Sequence, residues 1–103
     1  MRLALRPTAI AGQQLENDYV VTCDGRRIGR IRLADERSGG ALWEWAVNPP
    51  LPIPAWGKGS AATLDEAKDA FREAWKRFSA SLTKRAVEHW HHQQDAASER
   101  DSR

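Results

Sequence analysis

The sequence holds one cysteine, one methionine and one tyrosine among its 103 residues, has no apolar run of 18 residues, and is almost balanced in charge. Each shortage excludes something. A single thiol, Cys23, cannot close an internal disulfide, so nothing in the chain requires an oxidising compartment. Residues 1–12 begin with a positive charge, but Arg6 and Pro7 break their apolar run, and the core of a secretory signal is missing. Without a membrane-length stretch no membrane partner is expected, and the cytoplasm is the default location. A net charge of +2 says little about partners. A chain this short buries only about 60–65% of the surface it exposes when unfolded, so its core must come from a few large side chains. Five Trp and two Phe answer that need.

Residues 1–16 show no sustained period, and Pro7 and Gly12 interrupt them. They read as a loose leader to a single domain over 17–82. Residues 19–23 and 26–33 are rich in β-branched side chains and flank Asp24-Gly25, a strong hairpin signal. Two registers are open. A two-residue turn sets Val21 opposite Ile28 but turns Ile28 away from Ile31 and Leu33. A bulged turn sets Val20 opposite Ile28. Gly29 marks either a bulge or a place where a large ring crosses the backbone. After a polar loop over 35–40, residues 41–47 alternate. Trp43, Trp45 and Val47 form the core face, and Leu42, Glu44 and Ala46 the other. Residues 48–60, with four prolines and two glycines, are expected to lack regular structure and to wrap the domain through Leu51, Ile53 and Trp56.

The firmest element is a helix over 63–82. Thr63 is its N-cap, Glu66 stands at the capping-box position, and Asp65 and Glu66 favour the positive end of the helix dipole. Leu64, Ala67, Phe71, Ala74, Trp75, Phe78 and Leu82 recur at three- and four-residue spacing. Residues 83–95 either extend this helix or form a short second one capped by Thr83, and 96–103 read as a frayed tail. The expected fold is α+β: a three-stranded antiparallel meander packed against one long C-terminal amphipathic helix.

Chemistry is sparse. His89, His91 and His92 surround Trp90, but no cysteine or acid pattern completes a metal site, so they read as solvated. Cys23 follows a strand and precedes a turn, not a helix N-terminus, and reads as a packing residue. The segment Gly57-Lys58-Gly59-Ser60 resembles a phosphate loop only superficially. No catalytic residue, metal or cofactor is therefore expected, and the chain reads as a non-enzymatic accessory or interaction domain. Its contact surface is assigned to Leu51, Ile53, Trp56 and Trp90, and its partner is a protein or a second copy. The alternative is a nucleic-acid module. Residues 26–37 hold five Arg against two acids, and Arg26, Arg27, Arg30 and Arg32 on a sheet can meet phosphates or guanine edges.

The runs Asp18-Tyr-Val-Val, Asp24-Gly-Arg and Ile28-Gly-Arg-Ile, with Trp43, Trp45, the Gly59-to-Lys68 helix opening and Trp75, resemble a group of small bacterial proteins. These are common in rhizobia and their alphaproteobacterial relatives. The resemblance covers residues 17–80 and implies three strands and a helix, with no activity to carry over. In topology alone the order is also similar to arm-binding domains of phage integrases.

Overall fold

The computed structural model describes residues 2–36 and 40–101. It corrects the expected architecture. The sheet has five strands, not three, and two helices follow it. The strands are β1 (Leu3–Ile10), β2 (Gln13–Cys23), β3 (Arg26–Glu36), β4 (Gly40–Val47) and β5 (Lys58–Ala61). They lie in sequence order and are all antiparallel. Helices α1 (Leu64–Ala80) and α2 (Lys84–Asp101) complete the chain.

The first added strand is made from the expected leader. Pro7 does not prevent it, because β1 is an edge strand and its outer side has no partner to receive an N–H. Gly12 does not interrupt a strand either. With Ala11 it forms the turn between β1 and β2, both residues at positive φ (52° and 81°). The second added strand is β5, where a Gly-rich segment was expected to stay irregular. A Cβ on Gly59 would lie 2.8 Å from Trp45 Cζ2. Only glycine lets β5 pair beside that ring. A single 3₁₀ turn, Ala55–Gly57, precedes it.

The β2–β3 register resolves the two expected alternatives with a third. Asp24 and Gly25 have φ of 50° and 84°, the two-residue turn, and Cys23 and Thr22 pair Arg26 and Arg27. A bulge then passes over Ile28 so that Val21 pairs Gly29. The extra residue puts Ile28 and Ile31 on the same side, and both are fully buried. Gly29 has both proposed roles. It sits at the bulge, and a Cβ there would strike the ring of Phe71 and the carbonyl of Ala46.

Helix α1 begins as its sequence dictates: Thr63 Oγ1 accepts from the Glu66 N–H at 3.1 Å. Ala67, Phe71, Ala74, Trp75 and Phe78 are its buried residues. They pack on the sheet face of Val21, Ile31 and Val47, with the Trp45 and Phe71 rings edge to face. Each large ring so buried stabilises the domain by about 1.5–3 kcal/mol. A break at 81–83 separates the helices, and Thr83 Oγ1 accepts from the Ala86 N–H. So α2 is a separate helix, and it reaches Asp101 rather than fraying from 96. Trp90 fastens it, meeting Trp75 edge to face at 5.7 Å.

Candidate nucleic-acid interface

Strand alternation sends Gly29, Ile31 and Leu33 toward the helices and Arg27, Arg30 and Arg32 to the opposite face of the sheet. Arg26, expected with them, is excluded by the same alternation. It faces α2 and pairs with Asp95 at 3.1 Å. Its guanidinium holds the Asp95 carboxyl below the usual range. Arg37, also in the basic run, lies outside the described residues.

Register brings two further cations to the open face. Arg6 stands beside Val20, which pairs Arg30, and Lys58 pairs Ala46 next to Arg30. Composition gave no reason to join residues 6 and 58 to the hairpin, and only the two unexpected strands do so. Among the register-paired residues with described side chains, this face carries five cations and two carboxylates, Asp18 and Glu44. That excess is larger than the net charge of the whole chain. An open groove of about 630 Å³ runs over Arg30, Arg32, Glu44, Ala46, Lys58 and Ser60.

Two of the cations are held in place. Asp18 is buried and accepts from Arg30 through Nε, at 2.8 Å, and through a second guanidinium nitrogen, and it takes the Thr8 hydroxyl at 2.8 Å. The Arg30 hydrogen bonds hold the Asp18 carboxyl below its ordinary range against the opposing effect of burial, and raise the Arg30 pKa. Glu44, on the face opposite the Trp rings, pairs with Arg32 at 3.1 Å. Arg6, Arg27 and Lys58 are exposed and have no ion-pair partner among the described residues.

Leu51, Ile53 and Trp56 wrap the core as expected, and Trp90, assigned with them to a contact surface, is packed as well. Trp90 is buried. Leu51, Ile53 and Trp56 are half-buried against the core, with Trp56 edge to face on Phe78 and under the Arg77 guanidinium, 4.2 Å from its ring centre. None of the four is among the exposed large hydrophobic residues of the described chain. His89 and His92 are exposed, and no group of three His, Cys, Asp or Glu among the described residues is placed to hold a metal.

Cys23 and His91, remote in sequence, line one mainly apolar cavity of about 440 Å³ with Trp75 and Trp90. Burial, with Asp24 beside it, pushes the Cys23 thiol up. That is the reverse of what a nucleophile requires. Compared with known proteins, the chain matches no family model, no curated protein and no solved structure. No helix of the described chain is long and apolar enough to cross a membrane.

Proposed function

We propose that the protein binds duplex DNA through the open face of its sheet, with Arg6, Arg27, Arg30, Arg32 and Lys58 as the contacting residues. The observation that carries this reading is the gathering of five cations from three separate chain segments onto one face whose two carboxylates are already paired. Arg6, Arg27 and Lys58 suit phosphates. Arg30 and Arg32, oriented by their carboxylates, suit base edges in a major groove, which admits strands. Single-stranded nucleic acid fits less well, because stacking needs exposed rings. Trp43, Trp45, Phe71, Trp75 and Phe78 all lie on the helix side.

The test is the anisotropy of a labelled duplex at two salt concentrations. With three to five phosphates neutralised, affinity should fall about 40–500-fold between 50 and 200 mM salt. Arg27→Ala with Lys58→Ala should weaken binding and lower the salt slope by about 2. No binding at 50 mM salt, or a double variant that binds as the parent does, overturns the reading.

A further inference from the structure

The outer part of the β1–β2 hairpin takes no part in that sheet face. Pairing between β2 and β3 starts at Asp18 and Arg32 and does not continue toward Gln13. Beyond that row the β1–β2 ladder is itself interrupted, between Pro7 and Ala9, and Asn17 sits at positive φ. Every residue from 9 to 17 is exposed, so a two-stranded prong stands clear of both helices. Its root is fixed to the basic face, because Asp18 holds Thr8 on one side and Arg30 on the other. The two large hydrophobic side chains exposed among the described residues are both on it: Ile10 at 60% and Leu15 at 36%.

Resting on the duplex-binding reading, we infer that this prong is a wedge: with the duplex on the basic face, Ile10 and Leu15 enter the minor groove and part a base step, bending the DNA. Two side chains on a slim tip are a small contact for a stable protein partner, whose interfaces bury about 800 Å² of total surface per side. They are the size of wedge that kinks DNA. The remaining prong residues fit the same place. Ala9, Ala11 and Gly12 keep the tip slim for a groove about 6 Å wide. Gln13, Gln14 and Asn17 carry the amides that read minor-groove acceptors. Arg6, at the root, supplies the phosphate contact that the prong, whose one charge is Glu16, lacks. Unstacking is offset by the additional basic surface that a bent duplex can reach.

The test is energy transfer between dyes at the two ends of a duplex of about 25 base pairs, read at saturating protein. The parent should shorten the end-to-end distance. Ile10→Ala with Leu15→Ala should still bind, with affinity lowered less than about tenfold, and leave the duplex straight. Arg27→Ala with Lys58→Ala should bind weakly yet bend the DNA fully once saturated. Both wedge positions are exposed, so far-ultraviolet dichroism should be unchanged and a misfolded variant is recognised at once. Bending retained in the Ile10/Leu15 variant, or a parent that binds without bending, overturns the wedge and leaves the sheet-face reading intact. A parent that fails to bind duplex overturns both. A loss of self-association in the Ile10/Leu15 variant with unaltered bending assigns the tip to a protein contact instead.

Discussion

Asp18 and Arg30, twelve residues apart in sequence, meet across β2 and β3 in a doubly hydrogen-bonded ion pair whose two ends differ in exposure. The Asp18 side chain is 9% accessible and that of Arg30 36%. When Asp18 is neutralised, the guanidinium can turn to water. When Arg30 is removed, the carboxylate stays buried with only Thr8 as donor. Arg30→Ala should therefore cost about 2–3 kcal/mol and Asp18→Asn about 1 kcal/mol in urea denaturation. Equal costs would contradict the asymmetry.

The same pair sets an acid dependence. The folded pKa of Asp18 is depressed, so its contribution is complete above the unfolded value near 4 and is lost as pH falls through the lower folded value. Urea midpoints of the parent should decline below about pH 4. In Arg30→Ala, where burial opposes only the Thr8 hydrogen bond and the weaker charge effect of Arg32, that decline should be reduced.

Gly29→Ala should destabilise by about 3 kcal/mol. The added methyl meets Phe71 and, more rigidly, the Ala46 carbonyl. The side chain has other rotamers, but the backbone oxygen moves only with β4. A thermal midpoint unchanged from the parent would show that the bulge is looser than described.

Trp90 divides into two effects. Trp90→Ala removes the contact that holds α2 to Trp75 and should cost about 3–5 kcal/mol. Its indole N–H, however, is buried without a hydrogen-bond partner among the described residues. Trp90→Phe discards that orphan donor together with some area, so it should cost less than about 1.5 kcal/mol. Chemical denaturation of the two variants separates ring from donor.

Glu44→Gln should leave stability within about 0.5 kcal/mol, because both partners of its ion pair are well exposed. It should strengthen non-specific duplex binding, since a carboxylate leaves the contacting face, and reduce discrimination between duplex sequences, since Arg32 is no longer oriented toward base edges. Sequence discrimination equal to the parent's would show that Glu44 does not position Arg32.

The elements visible in the sequence are those with local causes. The Thr63 cap, the 3.6-residue spacing of Phe71, Trp75 and Phe78, the Asp24-Gly25 turn and the alternation of Trp43, Trp45 and Val47 each arise from near neighbours in the chain. The strands that were not visible have distant causes. Pro7 is compatible with β1 only because β1 lies at an edge, and edge position belongs to the whole sheet. Gly59 is compatible with β5 only because Trp45, fourteen positions earlier, lies over it.

The candidate site divides in the same way. The run of arginines from 26 to 32 was plain from the residues, but not which of them share a face. The bulge at Ile28 reverses the alternation, sending Arg26 to α2 and Arg27, Arg30 and Arg32 to the open side. By itself, then, the sequence determined a capped amphipathic helix, a hairpin, an aromatic core and a supply of arginines. Tertiary structure alone decided the edge strands, the pairing of Asp18 with Arg30, and the addition of Arg6 and Lys58 to the basic face. Side-chain direction in a sheet reverses with every residue, so one bulge set by distant packing redistributes the charges that local sequence can only enumerate.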